Sequence, residues 1–381
     1  SLFGPDEREN SYYRLSGAYR LSEEPWWPMK DLIQEFKIRG SQGTAGSRPN
    51  FFARYETWAV NEGSVAKSTL GNKGLKPEFV TETEVGLDMT FLGKFSLELT
   101  RANSVVVDQL LQVPQPSYVG YTSRWENAGT LETSTWELGL QGSLIQQEDL
   151  YLTVAFNMDV TDQTITKLGI PAYVATSPAT QGLSILRIEE GVEYGSLFGA
   201  KYVHDVNKLL DAEKSVTSAE LTQFQVNDEG LVVWVGDGKS WKDGISGKLW
   251  GTQGVLSNGE TYEWGMPVRY EGLDQKKLAA GDSVYTEQFI IGSVVPDFNW
   301  SFSGNLDYRN FSVYALFDAQ VGGDVYSRTE QWGFGIEQRS GEADQAGKSD
   351  ANKKPTRYYN QSGGTSERFI FDGSFVKLRE L

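Results

Sequence analysis

The sequence predicts an all-β fold, an antiparallel transmembrane β-barrel with long extracellular loops. Three observations predict it. Apolar and polar residues alternate with period two over runs of up to about ten residues. The connections between runs are very short on one side and long on the other. Composition removes the main competing classes. The 381 residues carry 35 Lys+Arg against 51 Asp+Glu, a formal charge of −16, with no Cys and one His. Without Cys there is no disulfide framework and no thiol nucleophile. A single histidine, His204, excludes a multi-His metal site and leaves a His-based triad unsupported. The acidic balance argues against a nucleic-acid partner. No apolar run approaches the roughly 18 residues of a membrane helix. A mean hydropathy of −0.42 reads as water-soluble for most folds. A barrel strand, however, faces lipid on one side and water on the other, so it averages polar as well.

The elements follow in chain order. Residues 12–21 and 35–42 form the first pair of strands. Their link, 22–34, carries Trp26 and Trp27, placed as interface anchors near the inner rim, and 28–36 has room for one helical turn. In the next strand, 80–91, Val85, Leu87 and Met89 alternate with Glu84, Gly86 and Asp88. Leu92-Gly93 turns the chain into 94–107, where Phe95, Leu97 and Leu99 alternate with Lys94, Ser96 and Glu98. A long connection, 108–131, leads to 133–145, in which Trp136, Leu138 and Leu140 oppose Glu137 and Gln141. Residues 146–149 turn into 150–165, the most regular run: Leu150, Leu152, Val154, Phe156, Met158 and Val160 share one face. After the longest connection, 298–307 and 311–321 pair through Arg309-Asn310, and 368–378 is the last strand. Trp136 and Trp300 belong to the barrel wall or its aromatic girdle.

These runs are longer than the five or six residues usual in soluble strands. Short turns at one rim and long loops at the other are the outer-membrane pattern, with the short turns periplasmic. Strand direction is consistent throughout, and the tally is nine, with room for further pairs inside 163–295. Bacterial single-chain barrels close on an even number. That odd tally, and ends that carry no terminal signals, suggest part of a longer chain.

Several segments in order resemble the SusC/RagA family of TonB-dependent (TonB-linked) outer-membrane transporters. They are Leu2-Phe3-Gly4-Pro5-Asp6; Tyr19-Arg20-Leu21-Ser22-Glu23-Glu24-Pro25-Trp26-Trp27; and Phe36-Lys37-Ile38-Arg39-Gly40-Ser41-Gln42-Gly43-Thr44-Ala45-Gly46. The most specific is Leu75-Lys76-Pro77-Glu78-Phe79-Val80-Thr81-Glu82-Thr83-Glu84-Val85-Gly86-Leu87-Asp88. Asn127-Ala128-Gly129, Ile291-Gly292-Ser293-Val294-Val295-Pro296-Asp297-Phe298, Gln320-Val321-Gly322-Gly323-Asp324-Val325-Tyr326 and Phe371-Asp372-Gly373-Ser374-Phe375-Val376-Lys377-Leu378-Arg379-Glu380-Leu381 follow. The resemblance implies that residues 1–381 are the C-terminal part of a receptor barrel of about 22 strands, with the plug domain outside this sequence. Within it, 166–296 is a long extracellular loop region, and 103–108 and 213–277 resemble the family least. The motifs read as architecture: Pro77 fixes φ where a strand begins, Asn127-Ala128-Gly129 is turn chemistry, and Gly322-Gly323 releases the chain from the sheet.

No residue set calls for catalysis, a metal or a cofactor. Glu82 and Glu84 share a strand face, and a polar lumen wall accounts for them. The pair Glu189/Glu190 has no further support as acid and base. Asp228-Glu229-Gly230 and Asp237-Gly238-Lys239 lack calcium-loop spacing and read as turns, the glycines form no phosphate loop, and His204 reads as a surface residue. The substrate-contact candidates are Trp234, Trp241, Trp250 and Trp264, grouped in the longest loop. Aromatic faces stack on sugar rings or peptide side chains. The plainer reading of the same residues is a small core inside the loop, since Leu231-Val232-Val233-Trp234-Val235 looks like a buried strand. The resemblance implies active import of oligosaccharides or peptides across the Gram-negative outer membrane, with no bond made or broken. It further implies a SusD-like lipoprotein at the outer loops, the TonB-ExbB-ExbD complex acting through the region upstream, and outer-membrane lipid around the wall. The alternative is a secreted β-rich glycan-binding module, with shorter strands and water on each outer face.

Overall fold

The computed structural model describes residues 10–175, 185–211, 214–245, 247–270, 272–273, 285–286, 288–336 and 339–381. The motif at residues 2–6 lies outside the described residues, as do Glu213 and the Lys276-Lys277 end of the least family-like segment.

Nine strands form one antiparallel sheet in sequence order: β1 (Arg14–Arg20), β2 (Ile33–Ser47), β3 (Glu78–Phe91), β4 (Phe95–Pro114), β5 (Ser123–Gln147), β6 (Leu150–Leu168), β7 (Pro296–Tyr308), β8 (Phe311–Gly322) and β9 (Phe375–Glu380). Every strand pairs with the next in the chain, as the alternation predicts. The short strand Thr69–Leu70 adds a parallel pairing to β5. Among the described residues the sheet does not close on itself, and residues 163–295 add no strand to it.

Register shows why these residues make a barrel wall. One cross-strand row reads Tyr19, Ile38, Leu87, Leu99, Leu138, Met158, Trp300, Ala319, Val376 from β1 to β9. The adjacent row on the opposite face reads Arg20, Lys37, Asp88, Glu98, Gly139, Asn157, Ser301, Asp318, Lys377. A one-residue slip in any strand would mix the two faces. The apolar face meets hydrocarbon and the polar face meets water. Because its partner is lipid, large apolar side chains such as Ile38, Val85, Leu140 and Phe317 stay exposed. A soluble sandwich would bury them against a second sheet.

Turns Leu92–Lys94, Glu148-Asp149 and Arg309-Asn310 occupy one rim. Leu92 and Gly93 both have positive φ, 55° and 67°, the backbone that lets a tight hairpin follow strand twist. The β1–β2 link shares this rim. It holds the 3₁₀ segment Leu21–Glu23, and within 28–36 a single turn closes on Met29 O, which accepts from Leu32 N at 3.1 Å and Ile33 N at 2.7 Å where β2 begins. Trp26 is exposed, and Trp27 packs on Phe36 with ring centres 5.2 Å apart.

Two sequence expectations are corrected at the opposite rim. Residues 108–131 are not a long loop. β4 and β5 continue to Pro114 and Ser123, and only 115–122 connects them. A bulge interrupts the register between Val106 and Gln109, with Asp108 at φ 55°; a bulge shifts side-chain parity, which hides the continuation. Accordingly Asn127-Ala128-Gly129 is strand and not turn. The Asn127 side chain accepts from Lys76 N at 2.9 Å and donates to Asp108 O at 2.8 Å, tying β5 to the start of β3 and to the bulge. Similarly, 368–378 is not one strand. Arg368 and Phe369 belong to the loops, Ile370–Asp372 pairs with Asp324–Tyr326, and only Phe375–Glu380 joins the sheet. Gly322 and Gly323 take positive φ where the chain leaves β8, as the sequence predicts.

The described residues of the two longest connections, 169–295 and 323–374, pack into one lobe. Its core gathers Val203, Leu209, Val232, Val233, Tyr262 and Trp264, all nearly inaccessible. A second cluster, Phe334, Tyr358, Tyr359 and Phe369, is supplied by the later connection. Trp250 packs against both.

Candidate functional site

A chain of this architecture can act through two surfaces: the polar wall and the loop lobe. On the wall, Arg39 of β2 pairs across to Gly86 of β3. A Cβ on Gly86 would lie 2.6 Å from the Arg39 guanidinium, so glycine there lets the arginine lie flat across β3. It bonds Asp88 at 3.1 Å, Glu84, and Thr100 of β4 at 2.5 Å. Lys37 closes on the other oxygen of Asp88 at 2.5 Å. One cation thus stitches three strands, and Glu84 has a structural partner. Beyond it the wall turns acidic. Glu98, Glu137, Asn157, Asp159 and Asn299 border a groove of about 380 Å³. Asp318 on β8 is held by Arg379 at 2.6 Å.

In the lobe, an ionic joint links the two connections. Glu229 sits in the turn of the hairpin Phe224–Val226/Val232–Trp234. Its carboxylate meets Arg368 at 2.5 Å, Lys354 at 3.0 Å and the Tyr358 hydroxyl. Lys354 also reaches Asp228 at 2.8 Å. Burial alone would raise the Glu229 pKa; Arg368 and Lys354 outweigh it and hold the carboxyl below its ordinary value. Burial and the neighbouring Glu229 carboxylate push the Tyr358 phenol up, so Tyr358 donates as a neutral hydroxyl. Around this joint Arg357 pairs with Glu263 at 2.6 Å, Arg269 donates to Gln361 O at 2.7 Å, and Tyr202 N donates to Glu367 at 2.8 Å. His204 lies between Gly230 O and Glu367, 3.0 Å from each, and is exposed. Glu220 accepts from Thr217 and Ser257; those bonds, the Thr217 side chain first, lower it to about 2.

The structure brings the four tryptophans together in this lobe. Trp264 is 1 % exposed and Trp234 9 %, so both pack inward. Trp250 meets Trp264 edge to face at 4.9 Å and Tyr358 at 5.9 Å. Trp241 is half-buried at the lobe surface beside Lys242. Val232–Trp234 form the buried strand that the plainer reading anticipates, and Leu231 to Val235 are each 9 % exposed or less. Gly230 and Gly238 take positive φ, the turns expected there. Sequence reasoning missed Arg39, Arg368 and Tyr358. Arg39 has a signal in the sequence, a cation on the polar parity opposite a glycine. Arg368 and Tyr358 have none, since Glu229, the carboxylate they share, lies more than a hundred residues away.

Among the described residues, no group of His, Cys, Asp or Glu is arranged to hold a metal. Nor, among them, is any helix long and apolar enough to cross a membrane.

Comparison with known proteins agrees with this geometry. Residues 4–205 match the family described as TonB dependent receptor-like, beta-barrel. TonB-dependent receptor P3 of Formosa agariphila is 25% identical over 96% of this chain, and TonB-dependent receptor P39 of the same organism is 23% identical over 86%. The chain spans about a third of each: 33% and 30%. Among solved structures, the RagAB peptide importer in its closed-closed state superposes with a TM-score of 0.67 at 20% identity, covering 99% of this chain and 37% of that one. Its open-open state gives 0.64 at 19% identity, covering 99% and 36%. An unbroken apolar row on one face, a charged row on the other and a match over more than half its length place this chain in the TonB-dependent receptor β-barrel family of the Gram-negative outer membrane.

Proposed function

We propose that this chain supplies part of the wall and outer loops of a TonB-dependent importer of the SusC/RagA type, which takes up oligosaccharides or peptides. The supporting observation is the pairing of rows in the sheet: across nine strands an apolar row lies on one face and a polar, mostly charged row on the other. Such a wall encloses a path for polar cargo and performs no bond chemistry. Relatives that carry the name TonB-dependent receptor, and the RagAB peptide importer as a neighbour in fold, support the same reading. The short-turn rim is periplasmic and the lobe, residues 166–296 with the later connection, is extracellular. A SusD-like lipoprotein covers the lobe, and the TonB-ExbB-ExbD complex acts through the region upstream. In the lobe, Trp234, Trp250 and Trp264 form the frame. Trp241 is the indole with a face left for cargo.

The test is a deletion of the full-length gene, followed by growth on a panel of polysaccharides and peptides as sole nutrients. Loss of growth on a subset, restored by the full-length gene but not by one lacking its TonB-contacting segment, supports import. Undiminished growth on every nutrient, with no change in uptake of labelled oligosaccharide or peptide, overturns it.

A further inference from the structure

The apolar face of the sheet has a definite edge on the loop side. One row reads Gly40, Val85, Arg101, Trp136, Val160 across β2 to β6, and the next row toward the loops reads Gln42, Thr83, Asn103, Ser134, Asp162. The second row is polar on all five strands, so the hydrocarbon boundary falls between them. Arg101 is the cation in the last apolar row. It is exposed, and its guanidinium lies over the Trp136 ring, 4.9 Å from the centroid. Among the described residues it has no carboxylate partner. The acids nearest on this face are Asp162, one row beyond and past Trp136 on β6, and Glu132, two rows beyond; Glu132 is engaged by the Thr166 hydroxyl at 3.0 Å.

A charge on the lipid face is costly at the membrane midplane and tolerated near the interface. There an arginine extends its stem along apolar surface and puts its head among the headgroups. The anions within reach at that level are phosphates, which a guanidinium binds bidentately. The Trp136 ring beneath it holds the guanidinium in place by cation–π attraction.

We propose that Arg101 and Trp136 form a lipid-binding site at the loop-side edge of the wall, which takes a phosphate of the outer-leaflet glycolipid, lipid A. The two-faced sheet carries this site whatever the cargo. Only the choice of leaflet rests on the extracellular placement of the loops. Asn103 and Ser134, in the row beyond, face the sugar level.

The test uses the full-length transporter in mild detergent, titrated with diphosphoryl lipid A and followed by native mass spectrometry. Wild type, R101Q and R101K are compared, with the heat-induced gel shift confirming that each barrel is folded. We expect R101Q to retain diphosphoryl lipid A five- to tenfold less, R101K to fall between, and all three to bind dephosphorylated lipid A alike. Equal retention of diphosphoryl lipid A by wild type and R101Q overturns the proposal. So does an equal loss of every lipid in R101Q. Loss of a dimer with lipid A binding unchanged would assign the surface to a second copy of this chain and also overturns it.

Discussion

The carboxylate of Glu229 and the guanidinium of Arg368 meet at 2.5 Å although 139 residues separate them in sequence. One sits in the turn of the hairpin Phe224–Val226/Val232–Trp234 and the other lies near the end of the connection before β9. With Lys354 and Tyr358 they hold two loops as one body. The pair is largely enclosed, with side-chain exposures of 22% and 11%. Removing one partner therefore leaves the other charge stranded. R368A should cost the lobe about 3–5 kcal/mol, and R368K should recover part of it, since a point charge replaces a planar fork. Hydrogen exchange of the full-length protein checks this. Protection should fall in 214–270 and 355–369 and hold in β3 to β8.

Acid should open the same joint. The folded Glu229 carboxyl titrates below the ordinary glutamate value of 4.5. A depressed carboxylate contributes stability that is complete above the unfolded value and is lost as pH falls through the folded one. The lobe should resist protease at pH 7, stay closed at pH 5 and become cleavable on acidification below about 4. E229Q should show weaker protection at pH 7 and a flatter response to acid. A wild-type lobe equally resistant at pH 3 and pH 7 would contradict this assignment.

The nine strands were legible because membrane burial imposes a strict period of two. Leu150 through Val160 cannot be read another way. Legibility ended where that constraint ended. Beyond the apolar band, β4 and β5 continue in water through Leu110, Leu111 and the bulge at Asp108, where no side-chain pattern is enforced. Leu231 to Val235 announced a buried strand by composition. What lies beyond them did not show, because the second cluster, Phe334, Tyr358 and Phe369, comes from another loop and joins theirs through Trp250.

Gly86 and Gly139 offer a matched comparison on the wall. A Cβ at Gly86 would sit 2.6 Å from the Arg39 guanidinium, whereas at Gly139 its nearest neighbour is Asn157 Oδ1 at 3.5 Å. G86A should lift Arg39 from Asp88 and Thr100 and destabilise the barrel by about 1–3 kcal/mol. G139A should be within about 0.5 kcal/mol of wild type. Urea titration of the full-length barrel in detergent, read by the heat-induced gel shift, separates them. Equal midpoints would remove the steric account of Gly86.

Trp241 and Trp264 stand twenty-three positions apart and should fail in different ways. Trp264 is 1% exposed in the lobe core, and a Cβ on Gly244 would come within 2.4 Å of its ring. That ring has nowhere to retreat. W264A should therefore cost about 3–5 kcal/mol, and G244A about 1–3 kcal/mol by crowding it; both should make the lobe protease-sensitive. Trp241 keeps a face toward the surface, so W241A should leave the lobe resistant. If that face meets cargo, losing one aromatic contact of about 0.5–1.5 kcal/mol should raise the half-saturating concentration for uptake roughly two- to tenfold, with the maximal rate unchanged. Uptake of the nutrient identified by the growth panel, measured for both variants in cells with matched surface expression, distinguishes the outcomes. Unaltered uptake in W241A, with the lobe intact, would confine all four tryptophans to packing.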